Sequence, residues 1–72
     1  MPKYYDIDDG TCLLSAADDV YLLLTRRGKW QDGWEIALDH LFRGESGAEQ
    51  IDEATAKVLA GNLCGKWPPA LD

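Results

Sequence analysis

Basic residues, histidine and cysteine are scarce in this chain, and each scarcity argues against a class of function. Seven Lys and Arg residues stand against 13 Asp and Glu residues, which gives the 72-residue chain a net charge of −6. Direct binding to nucleic acid needs many cationic contacts to phosphates, so we expect no direct nucleic-acid ligand. The single histidine and the two cysteines, which form no Cys-x-x-Cys pair, make no metal-binding motif. We therefore expect neither a metal nor another cofactor.

Long apolar runs and glycine-rich phosphate motifs are also missing. No stretch approaches the roughly 18 apolar residues of a membrane span, and the first residues lack the apolar segment of a secretory signal. The sequence thus favours a cytoplasmic protein without a membrane partner. Neither Gly-x-Gly-x-x-Gly nor the Walker pattern occurs, and the acidic segment 6–10 lacks the ligand spacing of a calcium loop.

Enough apolar area is present for one small core. Hydrophobic residues make up 46% of the chain, and they include three Trp, three Tyr and one Phe. A chain of this length buries only about 60% of its unfolded surface, so its stability is marginal. We predict a single domain over residues 1–72, with a short extended tail at 66–72 imposed by Trp67-Pro68-Pro69.

The clearest local signal is a β-hairpin that turns at Asp9 and Gly10. Asp-Gly is a favoured pair for a two-residue hairpin loop, because both positions must tolerate a positive φ. With this loop Asp8 pairs with Thr11, and the register along both strands follows. The next pairs are Ile7 with Cys12, Asp6 with Leu13 and Tyr5 with Leu14. One face of the hairpin is then apolar, with Tyr5, Ile7, Cys12 and Leu14. The other is a mixed face that could contact water or a partner, with Tyr4, Asp6, Asp8, Thr11, Leu13 and Ser15.

Residues 15–30 fit two structures. A capping pattern at 15–18 and a glycine at Gly28 are typical of a helix. The apolar run 20–25 is equally typical of a strand that continues the meander. We favour the strand, with a turn at Gly28 and a further short strand at 29–31.

Two helices are predicted in the second half of the chain. The first is capped by Asp32 and stopped by Gly44, the second begins near Asp52, and residues 44–50 between them have the composition of an exposed loop. Helical spacing places Trp34, Ala37, Leu38, Leu41 and Phe42 on the core face of the first helix, with Ile36, His40 and Arg43 opposite and Asp39 placed to pair with Arg43; it places Ala56, Leu59, Ala60 and Leu63 on the core face of the second.

The predicted fold class is α+β: a small antiparallel β-meander built on the N-terminal hairpin and packed on one face against the two C-terminal helices. The alternative, with residues 15–28 helical, has two strands and three helices.

The charge distribution suggests a function in binding. Five of the first 19 residues are aspartates, which we expect to gather near two adjacent turns of the meander, where they could imitate phosphate charge in a basic groove. The leading hypothesis is a non-enzymatic interaction module, a regulator or inhibitor whose partner is a larger protein with a basic surface. Its candidate partner-binding residues are Asp6, Asp8, Asp9, Asp18, Asp19, Trp30, Ile36, His40, Arg43 and Trp67.

Alternative functions stay open at this point. One is a small thiol- or metal-dependent enzyme that uses Cys12, Cys64 and His40. Another is a solubilising structural subunit of a larger assembly, and a second copy of the chain is a further candidate partner. We favour two core thiols over a disulfide, because a disulfide needs an oxidising compartment.

Overall fold

Five antiparallel strands form one sheet. The computed structural model describes residues 2–71, so Asp72 of the predicted tail lies outside the described residues. The α+β class predicted from the sequence is confirmed, and the favoured strand at 20–25 is confirmed over the helix. The strands are β1 (Lys3–Ile7), β2 (Cys12–Ala17), β3 (Val20–Leu24), β4 (Trp30–Asp32) and β5 (Ala48–Ile51), in the order β4-β3-β2-β1-β5 across the sheet.

The first hairpin has the predicted register. Tyr5 pairs with Leu14 and Ile7 with Cys12. The connection is longer than the two residues predicted, because the last pair of the ladder is Ile7 with Cys12. Three residues of this connection have positive φ values: Asp8, Asp9 and Gly10. Thr11 then donates its N–H to the carbonyl oxygens of Ile7, at 3.1 Å, and Asp8, at 3.3 Å.

The second hairpin has a two-residue turn made only of aspartates. Asp18 and Asp19 have φ values of 50° and 62°, and the flanking residues Ala17 and Val20 pair directly. Two successive positive φ values match the twist of a hairpin, and aspartate is among the few residues with a side chain that tolerates them. β4 follows the turn at Gly28 and begins one residue later than predicted.

Two helices follow β4 in the sequence, one before β5 and one after it. α1 (Trp34–Ala37) continues directly into a π-helical segment (Leu38–Phe42), and α2 covers Glu53–Asn62. Asp32, predicted to cap the first helix, is instead the last residue of β4, and the N-cap is Gly33. The predicted start of the second helix is correct: Asp52 is the N-cap, and its carboxylate accepts the Thr55 N–H at 2.8 Å.

The two helices cover opposite faces of the sheet, so the prediction that both cover one face is wrong. β4 and β5 are the two edges, and the chain crosses one face as α1, pairs along the far edge as β5 and returns over the other face as α2. The α1-side core contains Ile7, Leu14, Leu23 and Ala37, and the α2-side core contains Tyr4, Leu13, Leu22, Leu24, Trp30, Ala56, Ala60 and Leu63.

Burial on both faces also corrects the expectation for the mixed face of the first hairpin. Tyr4, Leu13 and Ser15, expected to face water or a partner, are 6%, 0% and 5% exposed beneath α2. The stripe predicted for the second helix supplies the opposing contacts, since Ala56, Ala60 and Leu63 are buried and Leu59 packs at the margin.

β5 lies within the segment that the sequence predicted to be a loop. Its residues Ala48–Ile51 pair antiparallel with β1, from Ile7 opposite Ala48 to Tyr4 opposite Ile51. Alanine, glutamate and glutamine have little preference for strands. Backbone pairing with β1 therefore makes this strand, with Glu49 and Gln50 exposed at the edge.

Candidate interaction surface

Three aromatic side chains contact one another on the α1 side of the sheet and stay open to solvent. The ring centroids of Tyr21 and Trp34 are 5.4 Å apart, those of Trp34 and Phe42 5.8 Å, and those of Tyr21 and Phe42 6.3 Å. Trp34 remains 45% exposed and Phe42 60% exposed, while Tyr21 is half-buried. We call Tyr21, Trp34 and Phe42 the aromatic surface.

Gly33 positions Trp34 beside Tyr21. The Gly33 N–H donates to the carbonyl oxygen of Tyr21 at 2.8 Å, which ties the start of α1 to β3. A Cβ atom on Gly33 would lie 3.0 Å from Leu14 Cδ1 and 3.0 Å from the carbonyl carbon of Leu22. A side chain at this position would therefore push the helix away from the sheet, and glycine lets α1 begin in direct contact with it.

The π-helical segment carries Phe42, the third ring of the aromatic surface. The N–H of Arg43 donates to the carbonyl oxygen of Leu38, five residues earlier, at 2.9 Å. Asp39 and Arg43 form the predicted ion pair at 3.4 Å, which contributes little stability because both side chains are well exposed. π-helical turns are rare and are frequently found at functional sites.

The sequence placed Trp34 and Phe42 in the core, and this prediction is wrong. Ala37 is the fully buried residue of α1, whereas Leu38 and Leu41 are half-buried. Helical spacing shows which side of a helix is apolar, but it cannot show how far the sheet extends beneath that side. A small residue at the centre of the apolar face, with two large rings at its ends, is the pattern that could have indicated rings at the margins.

Acidic residues adjoin the aromatic surface along the chain. Asp19 lies two residues before Tyr21, and Glu35 directly follows Trp34; both are exposed. Two of the three rings thus have an exposed carboxylate one or two residues away in the sequence.

The five aspartates predicted to gather at adjacent turns are divided between the two ends of the sheet. Successive turns of a meander lie at opposite ends of the strand that joins them, and β2 has six residues, which span roughly 20 Å. Asp6 is moreover half-buried, and its carboxylate accepts the Gly10 N–H inside the first turn. Asp8 and Asp9 are therefore at one end, and Asp18 and Asp19 at the other.

Two tryptophans proposed as partner contacts belong to the α2-side core. Trp30 is 3% exposed, and its indole Nε1 donates to the carbonyl oxygen of Lys66 at 2.8 Å. Trp67 is half-buried and packs on Tyr4 with ring centroids 5.2 Å apart. Trp67 is therefore folded back onto the core. Trp30 cannot contact a partner without unfolding of its strand.

The predicted outer face of the first helix is only partly exposed. Ile36 packs at the margin of the α1-side core, and His40 is half-buried. The Nδ1 atom of His40 is buried and has no hydrogen-bond partner among the described residues. Arg43 alone is well exposed, and it is paired with Asp39. These three residues do not form a continuous free face.

The two thiols are unbonded and lie on different sides of the sheet. Cys12 is half-buried at the margin of the α1-side core, whereas Cys64 is exposed and follows α2. Burial, followed by the Asp8 carboxylate, raises the pKa of the Cys12 thiol, and Arg26 opposes that rise. Within residues 2–71, no three His, Cys, Asp or Glu side chains converge to hold a metal ion.

Neither helix in the described part of the chain has the length and hydropathy needed to cross a membrane. In comparisons with protein-family models, curated proteins and solved structures, no family, protein or structure matches this chain.

Proposed function

We propose that this protein is a non-enzymatic protein–protein interaction module that binds its partner through the aromatic surface. The observation that carries the proposal is the exposure of Trp34 and Phe42, at 45% and 60%, while they contact each other and Tyr21. Contiguous apolar patches on a small domain are a feature of interaction sites. Trp and Tyr side chains, in addition, carry much of the binding energy in protein interfaces.

The chemistry of the surface indicates a partner with an apolar pocket and basic residues around it. Complete burial of a fully exposed Phe side chain yields about 1.5–3 kcal/mol, and burial of the parts of Trp34 and Phe42 that are still exposed would yield a share of that. The net charge of −6 and the neighbouring acids Asp19 and Glu35 would attract a basic rim and speed association. The partner in this proposal is a larger protein with such a surface.

Because the aspartates lie at two ends of the sheet, we do not assign them the main contact with the partner. A groove that normally receives a phosphate backbone would have to reach both ends of β2 to contact Asp8, Asp9, Asp18 and Asp19 together. In our proposal the aromatic surface makes the contact, and the carboxylates steer the approach. A regulatory or inhibitory role remains compatible with this binding mode.

Loss of the two exposed rings tests the proposal. The immobilised full chain, a W34A/F42A variant and a V58A variant are compared in pull-downs from cells that express the protein, with bound proteins identified by mass spectrometry. Val58 is the matched control, because it is an apolar side chain 65% exposed on α2, on the other side of the sheet. We expect a protein that the parent and V58A capture and W34A/F42A does not.

Two results would contradict the proposal. One is a partner captured equally by all three proteins, which would show that the aromatic surface does not bind it. The other is a parent chain that dimerises in sedimentation experiments while W34A/F42A is monomeric, because a second copy would then occupy the surface.

A further inference from the structure

A shallow cleft lies at the corner of the sheet that α1 leaves uncovered. Its volume is about 470 Å³, within the usual range for small-molecule sites. α1 begins beside Leu14 and Leu22, and the π-helical segment that continues it places His40 beside Gly47. The end of β3 and the start of β4 therefore stay open on this face. The cleft is lined by Thr11, Cys12, Thr25, Arg26, Arg27 and Gln31.

The lining is cationic in a chain that is strongly acidic overall. Arg26 and Arg27 are exposed, and among the described residues neither forms an ion pair. Among residues 2–71, no carboxylate lines the cleft, although the chain carries 13 acidic residues. Two guanidinium groups without an anionic partner in that part of the chain therefore share one recess.

The loop that carries the arginines is held in a defined conformation. The Gly28 N–H donates to the carbonyl oxygen of Thr25 at 3.0 Å, and the Arg27 N–H donates to Thr25 Oγ1 at 3.3 Å. Gly28 has a φ of 77°, and a Cβ there would lie 2.8 Å from the carbonyl oxygen of Cys64. The backbone is thus fixed against the end of α2, which lowers the entropy lost when the loop binds a ligand.

The remaining polar groups of the cleft are suited to an oxyanion. Thr25 Oγ1 accepts from Arg27, which leaves its hydroxyl hydrogen free to donate into the cleft. The Gln31 side chain adds an amide donor. Two guanidinium groups supply the charge and the donor geometry that a phosphate dianion prefers.

We propose that the cleft between Thr11, Thr25, Arg26, Arg27 and Gln31 binds the phosphate group of a small molecule. An extended polyanion does not fit, because Asp8 and Asp9 occupy the neighbouring turn and the whole chain carries −6. The aromatic surface begins at Tyr21, at the other end of β3, so this site is independent of the proposed protein contact.

Titration with inorganic phosphate at constant ionic strength tests the site, with the amide resonances of the ¹⁵N-labelled full chain as the readout. We expect saturable shifts confined to Thr11, Cys12, Gln31 and residues 25–28. The R26Q/R27Q variant should bind at least about tenfold more weakly. The R43Q/K57Q variant is the control, because it has the same net charge as R26Q/R27Q. It changes no residue of the cleft and breaks only two exposed ion pairs, so it should bind phosphate as tightly as the parent does.

Alkylation of the thiols gives an independent readout. Bound phosphate should slow the reaction of Cys12 with iodoacetamide, because it covers the thiol and disfavours the thiolate. Cys64 is exposed and does not line the cleft, although it adjoins Gly28, so it is the internal comparison and its rate should change less than that of Cys12. A second titration with adenosine 5′-monophosphate distinguishes the source: tighter binding than inorganic phosphate indicates a phosphorylated metabolite, and equal binding indicates the free anion.

The proposal fails if phosphate produces no more shift than chloride at equal ionic strength. It also fails if R26Q/R27Q binds as tightly as the parent, or if R43Q/K57Q loses as much affinity as R26Q/R27Q. The dispersion of the amide spectra shows directly that each variant is folded.

Discussion

Trp30 and Lys66 are joined by a hydrogen bond of 2.8 Å from the indole Nε1 to the Lys66 carbonyl oxygen, across 36 positions of the chain. The next residue, Trp67, packs on Tyr4 in β1. The C-terminal segment therefore closes the α2-side core at both β4 and β1. Its contribution is structural, although its Trp-Pro-Pro sequence resembles a free anchor.

Truncation after Gly65 should destabilise the protein by about 2–4 kcal/mol. The truncated chain loses the hydrogen bond from Trp30 Nε1, worth about 0.5–1.5 kcal/mol, and the Tyr4–Trp67 ring contact, worth about 0.5–1.5 kcal/mol. Loss of the half-buried Trp67 side chain from the α2-side core adds about 1 kcal/mol. Urea unfolding followed by circular dichroism measures the change. Truncation after Pro69 is the control and should leave stability within about 0.5 kcal/mol of the parent, because it removes only exposed residues among those described.

Leu24→Ala and Phe42→Ala should differ strongly although each removes a large apolar side chain. Leu24 is 0% exposed in the α2-side core, so its truncation should cost about 2–5 kcal/mol. Phe42 is 60% exposed, and its truncation should cost about 0.5–1.5 kcal/mol, mainly from its ring contacts with Tyr21 and Trp34. Equal losses in urea unfolding would show that Phe42 belongs to the core and would remove the aromatic surface from consideration.

Local chemistry explains the parts of the fold that the sequence predicts. The Asp9-Gly10 turn and the alternation of side chains determine the register of the first hairpin, and Asp52 marks the start of α2. These signals act over a few residues. β5 has no such signal, because its pairing with β1 connects segments about 40 residues apart and depends on where α1 delivers the chain.

The candidate sites depend on relations that lie beyond local chemistry. The aromatic surface depends on contacts among rings from β3, α1 and the π-helical segment, and the cleft on side chains from β2, β4 and the segment after β3. The division of the aspartates between two ends was accessible from the sequence, since alternating turns follow from any antiparallel meander. A count of charges along the sequence does not take this alternation of the turns into account.

Gly61→Ala and Gly28→Ala should change stability in opposite directions. Gly61 lies in α2 with nothing within 4 Å of an added Cβ, so alanine should stabilise the protein by about 0.5–1 kcal/mol. Gly28 has a positive φ and no space beside Cys64, so alanine there should destabilise by at least about 1 kcal/mol. Thermal and urea unfolding of the two variants check the signs. A stabilising Gly28→Ala would contradict the described turn between β3 and β4.

Asp52→Ala should reduce stability at neutral pH and should matter less as the pH falls. Hydrogen bonds from the side chain and backbone N–H of Thr55 hold the pKa of Asp52 below its ordinary value. A lowered pKa in the folded state means that the stabilisation is fully present above the ordinary value, about 3.9, and disappears as the pH falls through the folded value. Urea unfolding of the parent and D52A between pH 7 and pH 2.5 measures the difference.

Asp52→Asn separates the charge of this cap from its hydrogen bond. Asparagine caps helices about as well as aspartate but does not titrate, so the difference in stability between D52N and D52A should be constant over that range. The difference between the parent and D52A should instead shrink below about pH 4. If both differences are independent of pH, the carboxylate charge contributes nothing to the start of α2, and the hydrogen bond to Thr55 alone accounts for the cap.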